Sequence, residues 1–238
     1  MSTEDRHARL AASLAEIRTR IAGACEAVGR SRQEVTLVAV TKTFPAVDVL
    51  ALARLGVRDI GENRDQEAAA KAAAVAVAEK QVEVRWHFVG RLQTNKCKSV
   101  ARYADVVHSV DRISLVEPLA RAVAAHRDHP LHVFAQVSLD QDPSRGGAAT
   151  SELERIATAI TAHSELRLLG VMAVPPLDVD PDSAYRRLVE IASALREKFP
   201  EAAALSAGMS GDFESAIRHG ATHLRIGSAL LGGRPPLG

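Results

Sequence analysis

Eight short apolar runs rich in valine, isoleucine and leucine recur along this chain, separated by segments with helical spacing. That alternation constrains the fold more than anything else in the sequence. A run buried on both faces belongs in a parallel sheet, and each return in such a sheet needs a crossover, usually a helix. Strands are expected at 35–41, 57–62, 85–92, 104–111, 131–139, 166–174, 203–210 and 222–230. Helices are expected at 45–56, 64–80, 95–103, 112–127, 148–163, 181–198 and 212–219. An additional N-terminal helix over 4–29 precedes them, with Leu10, Leu14, Ile17, Ile21 and Cys25 recurring at threes and fours before Gly29. Eight strands suit closure into a barrel, and 238 residues is close to the size of that fold, ~250. The sequence therefore predicts an α/β protein: a single (β/α)8 TIM barrel domain over residues 1–238 with an extra N-terminal helix. An open doubly wound sheet is the competing arrangement.

The first strand carries the chemistry. In VTLVAVTKTFP, residues 35–45, Val38, Val40 and Lys42 alternate onto one face. Lys42 thus falls at the carboxyl end of a buried strand, where barrels build their active sites. Burial favours the neutral amine, and a neutral lysine is a nucleophile toward aldehydes. A lysine that merely snorkels to solvent is the plain alternative. Collected with it at the carboxyl ends of strands are Glu62 and Asn63, His87 and Gly90, Ser109 and Asp111, Ser138, Met172, the stretch from Ser206 to Met209 and Ser210, and the stretch from Arg225 through Gly227 to Ser228.

The last two stretches are rich in glycine and serine and follow strands seven and eight, where barrels commonly bind phosphate. Glycine lets backbone N–H groups approach an anion, and serine adds hydroxyl donors. A phosphate cradle facing one lysine suits a phosphorylated aldehyde, and pyridoxal 5'-phosphate fits that description. At the end of strand eight stands Arg225, a cation. A cation cannot keep a pyridine nitrogen protonated, so the ring would be a weak electron sink.

The remaining composition excludes other classes. A formal net charge of +1 offers nothing to nucleic acid or an anionic membrane, and aromatic residues at 3% make no stacking platform. Cys25 and Cys97 match neither a disulfide framework nor a zinc site and are expected to be reduced thiols in a cytoplasmic protein. The opening MSTEDRHARL has no apolar core of a signal peptide, and no apolar run reaches the ~18 residues of a membrane span.

In these segments the chain resembles the pyridoxal phosphate homeostasis proteins (the YggS/PROSC-like group), whose fold is the alanine racemase N-terminal barrel. The resemblance is carried by LVAVTK (37–42), GENRDQE (61–67), HFVGRLQTNK (87–96), GVMAVPP (170–176), LSAGMSGDFESAI (205–217) and LRIGSALLG (224–232), in the same order. It implies that Lys42 holds pyridoxal 5'-phosphate as a Schiff base. It further implies phosphate contacts from Ser206, Gly227 and Ser228, and Arg225 near the pyridine nitrogen. Asn63 and His87 match polar positions near the cofactor, and Met209 and Ser210 lie in the same motif. Three departures stand out: SRGG with Arg145 replaces a loop that often carries Lys-Gly, Ala207 replaces methionine, and Arg64–Asp65 replaces an aromatic–valine pair.

Related racemases use a second acid/base, a tyrosine brought by a C-terminal β-domain of the partner subunit. With the eighth strand reaching 230 and the sequence ending at Gly238, no room for that domain is expected. Tyr103 and Tyr185 read as packing residues on helices. The expectation is a non-catalytic carrier, monomeric rather than dimeric. It would buffer the cofactor or deliver it to apo enzymes that use it, and contact neither nucleic acid nor membrane. Two alternatives stay open: a racemase or lyase with His87 or Lys42 as its single base, and a phosphosugar-binding barrel that forms no imine.

Overall fold

The computed structural model describes residues 2–79, 81–140, 146–176 and 178–233. Helix α1 (Thr3–Glu26) is followed by β1 (Thr36–Val40), α2 (Ala46–Arg54), β2 (Asp59–Glu62), α3 (Asp65–Ala78), β3 (Arg85–Phe88), α4 (Cys97–Tyr103), β4 (Val106–Val110) and α5 (Ile113–His126). Then come β5 (Leu131–Gln136), α6 (Thr150–Thr161), β6 (Leu166–Met172), α7 (Pro181–Lys198), β7 (Ala204–Ser206), α8 (Phe213–Arg218), β8 (His223–Ile226) and α9 (Ser228–Leu231). Each strand pairs in parallel with the next, and β8 returns to β1 in a register running from Thr36–His223 to Ala39–Ile226. The sheet is a closed barrel, which rules out the open doubly wound arrangement.

Strand parity separates two interiors. Leu37 and Ala39 of β1 face the helices and join the large apolar layer that holds Leu52, Ile60, Leu115, Ile156 and Leu188. Val38 and Val40 face the lumen, where a Cβ built on Gly61 would meet their side chains at 3.1 and 3.2 Å. The lumen holds only a small apolar cluster of Val106, Phe134 and Met172. Beside these apolar side chains it buries Asp59, His87, His108, Ser206 and Arg225, and this is what makes it a site.

Helix α1 lies outside the barrel as the extra helix. Ser2 and Asp5 cap it reciprocally, and Leu10, Leu14, Ile17, Ile21 and Cys25 are buried. Burying each leucine or isoleucine stabilises the fold by roughly 1.5–3 kcal/mol. Arg6 pairs with Asp48 at 2.7 Å and donates to the Leu231 carbonyl at 3.0 Å, while Arg30 donates to the Ile217 carbonyl at 2.9 Å. The helix thereby ties the first α-helical turn of the barrel to the last.

One boundary differs from expectation in a way that matters. The eighth strand stops at Ile226 rather than running to 230, and Ser228–Leu231 forms α9. LRIGSALLG is apolar enough to read as strand throughout, and short apolar runs do not distinguish the two states. The break falls at Gly227, whose φ of −115° and ψ of −79° leave the strand, and where a Cβ would lie 3.3 Å from the Val40 carbonyl oxygen. Among the described residues no helix is long and apolar enough to cross a membrane. Arg145 of the SRGG loop and the ArgProPro stretch at 234–236 lie outside the described residues.

Candidate functional site

The turn after β1 brings Lys42, half-buried, to the carboxyl-end mouth of the barrel. There it lines a cavity of about 570 Å³, within the usual range for small-molecule sites. Val40, Phe44, Val89, Met172, Val174 and Met209 form the apolar wall. Asn63, Ser210, Arg225 and Ser228 supply the other polar side chains, with glycines at 211 and 227. The turns after β7 and β8 face one another across this cavity, and the Ala229 amide donates to Ser210 Oγ at 3.2 Å, tying them together. A neighbouring cavity of about 860 Å³ between α1 and α2 shares Phe44 and Gly232 but not Lys42, and its Arg6 and Asp48 already satisfy each other.

Arg225 is buried, 5% exposed, and donates from Nη1 to Ser206 Oγ at 2.6 Å and from Nη2 to the Ala173 carbonyl at 2.8 Å. Loss of hydration lowers its pKa to about 10, so it remains a cation at neutral pH. Among the described residues it has no carboxylate ion-pair partner. Its charge is instead met by dipoles.

Beneath it a hydrogen-bonded chain runs down the lumen. Ser206 Oγ lies 2.8 Å from His108 Nδ1, His108 Nε2 lies 2.9 Å from His87 Nδ1, and His87 Nε2 lies 2.9 Å from Asp59 Oδ1. Asp59 also accepts from Arg85 at 2.8 Å. A carboxylate only accepts and a guanidinium only donates. With both rings neutral, one assignment satisfies every contact. Arg225 donates to Ser206, Ser206 to His108 Nδ1, His108 Nε2–H to His87 Nδ1, and His87 Nε2–H to Asp59. Burial above all, with the neighbouring Arg225 cation adding to it, holds His108 well below the ordinary histidine range. Burial likewise lowers His223, whose ring packs on Phe134, to about 4. Burial raises the Asp59 carboxyl, but hydrogen bonds from His87 and Arg85 outweigh it and leave the pKa lowered.

The structure brings together Lys42, Asn63, Met209, Ser210, Arg225, Gly227 and Ser228. Two expected site residues are placed elsewhere. Ser206 is fully buried and holds Arg225 rather than lining the cavity, and His87 is buried between Asp59 and His108. Both face the lumen as parity requires but stand below its mouth. Ser109, Asp111 and Ser138 also lie away from the cavity: Asp111 pairs with Arg112 at 2.6 Å and Ser138 donates to Asp140 at 3.0 Å. Sequence reasoning missed His108 and Asp59. The alternation Val106, His108, Val110 carried the signal for the first. Nothing local marked the second. Tyr185 is buried in α7 and Tyr103 part-buried at the end of α4, neither lining the cavity. Burial raises the Cys97 thiol to about 11, where it is inert.

Residues 13–235 match the family described as alanine racemase, N-terminal domain. A curated relative from Mycobacterium tuberculosis, named pyridoxal phosphate homeostasis protein, is 47% identical over 97% of this chain and 95% of its own. A crystal structure of an unknown protein from Bifidobacterium adolescentis is 31% identical, covers 97% of both chains and superposes with a TM-score of 0.87. The structure of PipY from Synechococcus elongatus, solved with PLP bound, is 28% identical over 94% of this chain and 100% of that one, with a TM-score of 0.79. By its barrel, its lysine-centred mouth and these matches, the chain belongs to the pyridoxal phosphate homeostasis proteins, built on the alanine racemase N-terminal domain.

Proposed function

We propose that this protein binds pyridoxal 5'-phosphate through Lys42 and serves in homeostasis of that cofactor, holding and releasing it rather than using it for turnover. The observation that carries the reading is the placement of Lys42 in one cavity with Arg225 and the paired turns at Ser210 and Gly227–Ser228. The relatives' name and the bound ligand of PipY support it.

The residues present fit such a ligand. Gly227 and Gly211 leave backbone close to the cavity. Ser210 and Ser228 add hydroxyls beside them. Arg225 keeps its cation at the cavity floor, where it opposes protonation of a ring nitrogen. When bound, the cofactor supplies an aldehyde. Lys42 would hold the cofactor through its side-chain amine, for which that aldehyde would supply the electrophilic carbon.

A two-base racemase reading would need a second proton carrier in the cavity besides Lys42. His87 has both ring nitrogens committed inside the barrel, and neither tyrosine lines the cavity. This favours the carrier reading over two-base turnover and over His87 as a base. Purified protein should show imine absorbance that disappears on borohydride reduction, with the modification mapping to Lys42. Lys42→Ala should lose that band. Incubation with a broad amino-acid panel should leave the band intact, and sustained racemisation or transamination would overturn the carrier reading.

A further inference from the structure

Lys42 sits in a turn that ought to be unfavourable. The Phe44 amide donates to the Thr41 carbonyl at 3.0 Å, closing a four-residue turn with Lys42 and Thr43 at its centre. Thr43 has φ of 70°, the one non-glycine residue with positive φ among the described residues. A turn of this kind normally gives its third place to glycine, and a β-branched residue there is strained. The Thr43 hydroxyl is buried with no hydrogen-bond partner among the described residues, so the side chain does not offset that strain.

What holds the turn comes from α3 and the end of β2. Glu67 accepts the Thr43 amide at 2.6 Å. Lys71, one helical turn on, pairs with Glu67 at 3.1 Å, donates to the Thr41 carbonyl at 2.9 Å and pairs with Glu62. Glu62 in turn accepts from Thr41 Oγ1 at 2.6 Å. The Lys71 side chain is 5% exposed. It therefore spends its charge inside the protein, on Thr41 directly and on Glu67, which holds Thr43, although it does not line the cavity. Strained backbone persists where surroundings over-determine it, and such places cluster at ligand sites.

We propose that Lys71 and Glu67 are positioning residues for Lys42. From α3 they hold the turn in its left-handed form and so aim the amine into the cavity. The inference rests on the reading of Lys42 as the cofactor amine.

The test compares two ligands on the full-length apo protein. Pyridoxal 5'-phosphate reports imine formation. Pyridoxine 5'-phosphate has the same ring and phosphate with an alcohol in place of the aldehyde, so it reports non-covalent binding alone. Lys71→Met should weaken pyridoxal phosphate about tenfold and leave pyridoxine phosphate within about twofold. Adding Thr43→Gly, which removes the strain, should restore most of the loss. Equal weakening of both ligands, no weakening of either, or failure of Thr43→Gly to restore binding overturns the proposal. Should Lys71→Met not fold, Glu67→Ala at its part-exposed site carries the same comparison. A wild-type protein that forms no imine at all defeats the parent reading instead, which the wild-type spectrum reports separately.

Discussion

Ser206 shows how one hydroxyl can organise a site it does not line. It accepts from Arg225 and donates to His108, so it joins the cavity floor to the polar lumen. Ser206→Ala leaves Arg225 Nη1 and His108 Nδ1 without that partner. A buried group left unsatisfied costs about 1–3 kcal/mol, which urea unfolding of the variant should register. The chain below it also makes a spectroscopic prediction. Nitrogen-15 spectra of the imidazoles should show both His87 and His108 protonated at Nε2, with His108 still neutral below the ordinary histidine range. Protonation of His108 at Nδ1 would overturn the assigned direction of the chain. At this scale Lys42 was legible because parity needs only the strand. Ser206 and His87 were misplaced because parity says which way a side chain faces, not how deep it stands. Depth follows from strand tilt and from where each strand ends.

Turns between elements, more than the elements themselves, shape the mouth. Gly90 follows β3, and a Cβ there would run into the carbonyl of Asn63 after β2. Those two segments touch because position 90 has no side chain. Gly90→Ala must push Asn63 away and should cost about 1–3 kcal/mol as overpacking. A lowered melting temperature together with weaker pyridoxal phosphate binding is the expected outcome; unchanged binding would mean Asn63 does not contribute. The same reasoning explains the eighth strand. Helical and strand periods were clear for α5, α6 and α7, whose apolar stripes are long. α9 was not legible, because one helical turn of SALL contains no full period.

The molecule as a whole keeps basic groups largely withdrawn from water, and this ties its stability to pH. His223 at about 4 and His108 well below 6.5 resist protonation only when folded. The unfolded chain takes up those protons first as pH drops below ~6.5. Stability is therefore full above that value and is lost as pH falls toward 4. His223 alone accounts for on the order of 3 kcal/mol over the window. Asp59, whose folded pKa is lowered, adds loss in the same direction at more acid pH. Urea midpoints should fall steadily from pH 7 to pH 5, and less steeply in His223→Leu. A flat profile in the unsubstituted protein would contradict the burial of these rings as neutral bases.

Alternation of apolar runs with helical stripes determined the barrel, its order and the lysine at its rim, since periodicity is a local property of the chain. Tertiary structure alone decided that Ser206 serves Arg225, that His108 and Asp59 complete a chain across the lumen, and that Lys71 braces the turn of Lys42. Those contacts join residues on different strands and helices, and their partners are set by register, tilt and closure rather than by any neighbour in sequence.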